Sequence, residues 1–313
     1  MKEFFSAHDK SFRNLKFLFR HRSNLNRILE YEDFDFVWFM APAGEVLDIP
    51  FATTLWDLEF RAQPFFPEVS RYGEWKRRQG LNQSVLQRAS FVIVGTNYGA
   101  AQAHHFFGVD QRRILVAPFA LHSLIEERVD KRDPNLIFFP AQFWPHKNHT
   151  TLVKAFKLAR EKSGRNLRLI LPGSDKGNFS LIKKYVEELK LTESVDFPGF
   201  ISNIELTNLY KTAALMVYPS LFGPDNLPPL ESLLHGCPVI VADIPGSKEQ
   251  LGDSVEYFNP VSEIDLSNRI LENLDRWASF EKIQVKDPEE TLRSILIRIA
   301  EFECYIRTWK FMS

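Results

Sequence analysis

The sequence predicts an α/β protein of two units, each a parallel sheet with helices on its faces. Apolar runs of strand length, among them Ser90–Gly95 (SFVIVG), Leu136–Pro140 (LIFFP) and Leu215–Tyr218 (LMVY), alternate with longer stretches of helical periodicity. Such alternation builds parallel strands joined by crossover helices. The runs are apolar at successive positions rather than at every second one, the pattern of strands covered on both faces. A chain of 313 residues, 44% of them hydrophobic, fits two cores better than one, and the charged stretch Glu126–Pro134 divides it. The expected organisation is a first unit over residues 1–130, a second over 131–287 and a terminal helix over 288–313.

Composition narrows the function classes. A net charge of -1 argues against general nucleic-acid binding, which rests on a basic surface. The two cysteines, Cys237 and Cys304, form no metal-binding or redox spacing with each other, which fits a reducing, cytoplasmic setting. No run reaches the apolar length of a membrane span, and the first residues lack the apolar core of a signal peptide. Residues 1–30 are basic, with Arg13, Lys16 and Arg20 beside Phe17, Leu18 and Phe19. They read as a segment for self-association or for peripheral contact with the inner face of a membrane, or as an ordinary helix with a solvated basic side.

In the first unit, Phe34–Met40 (FDFVWFM) and Pro50–Leu55 are the expected leading strands, joined through a loop at Pro42 and Gly44. Asp33-Phe34-Asp35 is formally a D-x-D pattern of the kind that holds a divalent cation, but so short a pattern arises often by chance. Glu74–Ala89 follows as a helix with Trp75, Leu81, Val85 and Leu86 inward. Thr96 and Asn97 can cap the helix after Ser90–Gly95, and Arg113–Pro118 is the last strand of the unit. His104 and His105 on that helix have no third ligand near in sequence, so they read as surface or core residues rather than metal ligands.

In the second unit, Leu136–Pro140 leads into the loop Ala141–His149 (AQFWPHKNH) and a helix with Leu152, Val153, Phe156 and Ala159 inward. Lys147 in that loop lies beside a helix N-terminus, where a cation neutralises diphosphate charge; a lone lysine also reads as a solvated surface residue. A strand at Leu167–Leu171, the turn Pro172-Gly173-Ser174, a helix through Leu189 and a short strand at Val195–Phe197 come next. Ser202 and Glu205 form a capping box for a helix to Ala214. The densest stretch is Leu215–Ala242, two buried strands (Leu215–Tyr218 and Pro238–Ala242) around a turn-rich loop and a short helix beginning near Leu227 and closing on Gly236. Asn226 is a suitable N-cap, and Pro228 and Pro229 fall in the first turn, where a missing N–H costs nothing. Free backbone N–H groups and the positive dipole end would there face the sheet mouth and take an anion. Glu231, one turn in, can accept hydrogen bonds from sugar hydroxyls or only complement the dipole. A short helix holding Glu249, a helix over Glu263–Trp277 and a long one over Pro288–Phe311 complete the chain.

Residues 222–240 (FGPDNLPPLESLLHGCPVI) resemble the donor-sugar loop of GT-B glycosyltransferases, in particular the retaining family 4, which uses nucleotide-activated sugars. In that family a Glu-x7-Glu motif spans the loop; Glu231 matches the second Glu, which binds ribose, while Gly223 stands at the first, as in an FGP-x-N-x-PPLE variant. Thr53–Arg61 (TTLWDLEFR) resembles a segment at the cleft edge of the N-terminal domain, with Trp56 and Phe60 where many relatives carry His. Asp57 and Arg61 are retained there, and apart from the resemblance they read as a local ion pair. AQFWPHKN aligns Lys147 with one of two diphosphate cations and puts Gln142 at the other. Pro198-Gly199-Phe200-Ile201 resembles the loop whose backbone meets the nucleotide base, and Gly199 equally suits a turn needing positive φ.

The resemblance implies a GT-B fold, two Rossmann-like domains with parallel sheets facing a cleft and the terminal helix crossing back to the first. With its first glycine at Gly44, the N-terminal domain looks abbreviated by one or two βα units. Implied catalytic residues are Lys147, Glu231 and Asp57; implied donor-binding residues are Gln142, Lys147, Gly199, Ile201, Asp225, Asn226, Leu227 and Glu231; Trp56, Asp57 and Arg61 fall on the acceptor side. No metal and no cofactor is implied beyond a nucleoside diphosphate sugar as donor. The expected function is a retaining, metal-independent glycosyltransferase acting on a glycan or lipid-linked acceptor of surface-polysaccharide type. Gln142, Gly223 and the short first unit also suit a non-catalytic nucleotide-sugar-binding protein or subunit. A nucleotide-sugar epimerase shares the architecture but needs acid/base carboxylates at the cleft.

Overall fold

The computed structural model describes residues 24–310 apart from 33, 43, 120, 122–131, 275 and 277–287. Residues 1–23, which hold most of the basic segment, and Asp33 of the D-x-D pattern therefore lie outside the described residues.

The first half runs α1 (Asn24–Tyr31), β1 (Val37–Phe39), β2 (Phe51–Leu55), α2 (Glu59–Ala62), α3 (Pro67–Ser70), α4 (Glu74–Arg88), β3 (Phe91–Val94), α5 (Asn97–Phe107) and β4 (Ile114–Val116). Its strands form a four-stranded parallel sheet in the order β1-β2-β3-β4. Every residue of β3 is buried, as its unbroken apolar run requires. The Thr96 hydroxyl accepts the Gly99 N–H at 3.0 Å and caps α5, which ends on left-handed Gly108. Helices α2 and α3 were not evident in the sequence. They are single turns, too short to show a period, and α2 begins where Asp57 Oδ1 accepts the Glu59 N–H at 3.0 Å.

The second half runs β5 (Asp133–Phe138), a 3-10 turn (Pro145–Lys147), α6 (His149–Ser163), β6 (Arg168–Ile170), α7 (Phe179–Glu188), β7 (Val195–Asp196), α8 (Asn203–Thr212), β8 (Ala213–Tyr218), α9 (Leu227–Leu234), β9 (Val239–Ala242), α10 (Ser247–Leu251), β10 (Glu256–Phe258), α11 (Glu263–Asn273) and α12 (Pro288–Lys310). Its parallel sheet has the order β10-β9-β8-β5-β6-β7. The order reverses between β5 and β8, and at such a switch point the two following loops part and leave a crevice for a ligand. The loop after β5 carries Lys147 and the loop after β8 carries Asn226. Strand β10, which the sequence did not announce, is a short run that becomes a strand by pairing with β9, Tyr257 opposite Val241.

Each sheet has its own core, and apolar contacts at two places link the halves. Helix α12 lays Ile295 and Ile299 on Ala52, Phe91 and Ile93 of the first sheet, with the Phe302 ring edge-on to Phe91 at 5.2 Å. In the opposite sense, Phe222 from the loop after β8 is buried in the first core beside Phe66.

Candidate functional site

At the switch point three side chains form one hydrogen-bonded chain. Lys147 Nζ donates to the Tyr218 hydroxyl at 2.8 Å and lies 5.0 Å from the centre of its ring. The Tyr218 hydroxyl donates in turn to Asn226 Oδ1 at 2.8 Å. An ammonium has three hydrogens and Lys147 spends one on Tyr218, so its remaining donors are available to a phosphate oxygen. The loop that presents Lys147 is fixed by Asn148 in the left-handed region, φ 58°, a conformation that Asn tolerates better than most residues. Asn148 Nδ2 donates to the carbonyls of Pro219 at 3.2 Å and Pro260 at 2.9 Å, and so holds the Lys147 loop to the end of β8.

The N-terminus of α9 differs from expectation. Asn226 makes no side-chain cap, because its Oδ1 is taken by Tyr218 and its Nδ2 donates to the Gly223 carbonyl. Its own N–H donates to Gln250 Oε1 at 3.0 Å. Pro228 and Pro229 carry no N–H, so the first turn offers a ligand the Leu227 N–H and the helix dipole rather than a cradle of amides.

Glu231 lies one turn further. Its Oε2 accepts the Tyr210 hydroxyl at 2.7 Å, and both residues line a cavity of about 260 Å³ with Asn203, Leu206 and Thr207 of α8. Burial and then the Glu231 carboxylate push the Tyr210 hydroxyl far above its ordinary pKa, so it stays a donor. On the other side of the mouth, Gly173 N donates to the Gly199 carbonyl at 2.8 Å, and a side chain at Gly173 would strike the Ala141 carbonyl, 1.9 Å from an ideal Cβ. The loops of Gln142, Gly173 and Gly199 are thus stacked at the ends of β5, β6 and β7. Gly199 has φ 75° and Ile201 is half-buried, while Phe200 between them is 87% exposed. Gln142 turns aside: its Oε1 accepts the Trp144 indole N–H at 2.9 Å.

Three carboxylates tie the two halves together, and one of them, Asp225, is a residue that the resemblance assigns to the donor but whose carboxylate is turned to the junction. Glu68 of α3 accepts both the backbone N–H of His146 at 3.1 Å and its ring Nδ1–H at 2.6 Å. Burial raises the Glu68 pKa, but these hydrogen bonds outweigh it and hold the carboxyl below its usual range. Burial keeps His146 neutral against the pull of Glu68, and its ring lies flat on Phe222 at 3.8 Å. Glu249 of α10 accepts Asn97 N and Nδ2, both at 2.6 Å, at the start of α5. Asp225 accepts the Phe119 N–H at 3.2 Å and the Gln250 side-chain amide, and its carboxylate occupies the space that a side chain at Gly95 would need. No local pattern marks Glu68 or Glu249 for a contact across the halves, since each is an acidic residue of an ordinary helix. Tyr218 had a signal, a polar tip ending an aliphatic strand at the switch point.

The acceptor-side residues separate. Trp56 and Asp57 line a cavity of about 360 Å³ between the end of β2 and the side of α4. Arg61 does not join them: its Nη1 donates to Gln79 at 2.9 Å and its guanidinium lies over Phe106, Trp75 and Phe107 at 5.3, 5.6 and 5.9 Å. The contacts recorded for Asp57 and Arg61 include no ion pair between them, because Asp57 is turned to the Glu59 N–H. His104 finds its partner in the Val109 carbonyl, 2.9 Å from Nδ1. Among the described residues no group of three or more His, Cys, Asp or Glu side chains is placed to hold a metal ion.

A profile of the glycosyl transferases group 1 family matches residues 123–284, more than half of the chain. The chain belongs to this family. Gln142, Lys147, Gly199, Asn226 and Glu231 fall inside the matched stretch of this glycosyl transferases group 1 member, whereas Trp56, Asp57 and Arg61 precede it. The chain is 32% identical over 158 residues to the O-antigen chain mannosyltransferase RfbU of Salmonella typhimurium, covering 50% of this chain and 43% of that protein. It is 28% identical over 135 residues to the O-antigen chain mannosyltransferase B of Escherichia coli, covering 42% and 35%. The matched stretches therefore span less than half the length of these relatives. Among solved structures, Anabaena Alr3699/HepE in complex with UDP and glucose superposes with a TM-score of 0.69 at 15% identity, over 89% of this chain and 81% of that one. Sucrose-phosphate synthase from Thermosynechococcus elongatus gives 0.67 at 18%, over 96% and 79%. At such identities the likeness is one of fold, and the fold is GT-B, with two parallel sheets.

Proposed function

We propose that this chain is a retaining glycosyltransferase that moves a sugar, without a divalent metal, from a nucleoside diphosphate sugar to a glycan or lipid-linked acceptor in surface-polysaccharide assembly. The observation that carries this reading is the Lys147–Tyr218–Asn226 chain at the switch point of the second sheet. As the bond from the sugar to the diphosphate breaks, negative charge grows on the departing oxygen, and a pre-placed ammonium beside a helix N-terminus stabilises that charge more than it stabilises the ground state. Attack by an acceptor hydroxyl on the same face, its proton passing to the departing phosphate, needs no protein nucleophile. Glu231, beside the cavity at α8, is suited to ribose hydroxyls. The relatives named as O-antigen chain mannosyltransferases favour mannose as the transferred sugar.

The test is calorimetry with UDP and GDP, followed by donor hydrolysis and transfer assays with and without EDTA. Tight nucleotide binding and turnover that survives chelation support the proposal; complete loss on chelation, restored by Mn²⁺ or Mg²⁺, overturns its metal-free part. Gln142, neutral where a second cation is expected and turned to Trp144, favours the second reading, a subunit that binds donor without turnover. Nucleotide affinity with no hydrolysis or transfer would establish it. We further propose that residues 1–30 mediate self-association or peripheral membrane contact. A full-length protein that stays monomeric in light scattering and ignores anionic vesicles would overturn that assignment.

A further inference from the structure

A sugar-linked diphosphate carries a negative charge on each phosphate, so the single ammonium of Lys147 leaves part of that charge unanswered. The loops that follow the strands of the second sheet, and so form its mouth, are residues 139–148, 171–178, 197–202, 219–226, 243–246 and 259–262. In them Lys147 and Lys176 are the only Lys or Arg residues. Arg132 and Arg168 belong to the opposite end of the sheet, ahead of β5 and at the start of β6, where Arg168 pairs with Asp133.

The Lys176 loop is laced to the Lys147 loop. Past the strand ends, the Ala141 N–H donates to the Pro172 carbonyl at 3.1 Å and the Phe143 N–H to the Ser174 carbonyl at 3.0 Å, so the parallel pairing of β5 and β6 continues into the loops. Asp175 Oδ1 then accepts the Gly177 N–H at 2.7 Å and the Phe179 N–H at 3.3 Å, which turns the chain at Lys176. Trp144 connects the two lysines. Its carbonyl accepts the Lys147 N–H at 3.0 Å, its indole N–H is held by Gln142, and its ring centre lies 5.6 Å from Lys176 Nζ. Gln142 therefore steadies the ring on which a cation rests.

Lys176 is exposed, and among the described residues Lys157, Lys184 and Lys248 pair with carboxylates whereas Lys176 does not. An aromatic face holds an ammonium without neutralising it, as the Tyr218 ring does for Lys147 at 5.0 Å. Both lysines thus keep their charge on adjoining loops of one mouth.

We propose that Lys176 binds the donor's diphosphate together with Lys147, supplying from the loop after β6 the second positive charge that the neutral Gln142 does not. This rests on the nucleotide-sugar reading above and deepens it by naming a further donor-binding residue.

The test is calorimetry of the full chain with UDP and GDP at low and high salt. Lys176→Gln should weaken binding of the preferred nucleotide by about five- to tenfold at low salt, and Lys176→Arg should keep the wild-type affinity. The gap between wild type and Lys176→Gln should close as salt screens the charge, which a merely structural role would not produce. Lys190→Gln removes an exposed lysine beyond the other end of α7 and should leave the affinity unchanged. Equal affinity of wild type and Lys176→Gln, a loss that ignores salt, or an equal loss in Lys190→Gln would each overturn the assignment and leave the donor site standing. A chain that binds neither nucleotide overturns the donor-site reading itself, and this proposal with it.

Discussion

Lys147 is held by a tyrosine hydroxyl, not by a carboxylate, and that choice of partner leaves its charge uncompensated at the mouth. An ion pair there would have spent the charge before a diphosphate arrived. Removing one such electrostatic donor typically costs about 10²–10³ in kcat. Lys147→Ala should show a loss of that size in sugar transfer with an unchanged circular dichroism spectrum. Tyr218→Phe deletes the relay to Asn226 and keeps the ring, so a loss of about tenfold is expected in the same assay. Glu231→Ala should weaken nucleotide binding by roughly ten- to a hundredfold, the loss expected for one hydrogen bond to a charged group. Because Tyr210 donates to Glu231, that variant also leaves a buried hydroxyl unpaired. Glu231→Gln keeps an acceptor for it and should hold stability near wild type in urea denaturation.

The loop between β8 and α9 is the element on which donor chemistry and interdomain packing meet. It sends Asn226 into the second-half mouth and Phe222 into the first core, with the Leu221 carbonyl accepting Gln63 Nε2 at 3.0 Å in between. Truncating a buried aromatic costs about 3–5 kcal/mol, so Phe222→Ala should lower the urea midpoint measurably and reduce activity together with it. Gly95 answers this loop from the end of β3. A Cβ there would lie 1.9 Å from Asp225 Oδ2, so the aspartate would have to turn away from the Phe119 N–H and the Gln250 amide. Gly95→Ala should therefore loosen the junction, seen as a lower urea midpoint; an unchanged midpoint with full activity would show the contact to be dispensable.

Across the whole molecule, the junction carries a titrating group. Burial, reinforced by Glu249, pushes the Asp225 carboxyl up to about 6, against the pull of the Phe119 N–H. An unfolded aspartate titrates near 3.9, so between about pH 4 and pH 6 the folded chain binds a proton that the unfolded chain does not. Stability then rises as pH falls through that window and drops as pH rises through it. At neutral pH the ionised Asp225 costs on the order of 3 kcal/mol relative to an unburied aspartate. Asp225→Asn keeps an acceptor for Phe119 without the charge, so it should gain stability above pH 6 and flatten the profile between pH 4 and pH 6. Urea denaturation of both proteins across that range measures the difference.

Local residue pattern determined the two parallel sheets, the mouth of the second one and some of the residues at it. Strands buried on both faces must be apolar throughout, crossover helices must show their own period, and Gly, Pro and Asn must sit where the chain turns, so each leaves a mark within a few residues of itself. Lys147, Asn226 and Glu231 were legible as mouth residues for that reason. The tertiary structure alone decided whom they touch. Tyr218 joins Lys147 to Asn226 because the sheet order sets β5 beside β8, and Asn226 gives up its cap to that contact. Arg61 turns into an aromatic cluster with Trp75, Phe106 and Phe107 instead of toward the Asp57 cavity. Glu68 meets His146 and Asp225 meets Gly95 across a junction between segments far apart in the chain. Such contacts depend on strand order and on how two cores close on each other, and no periodicity within a single segment encodes either.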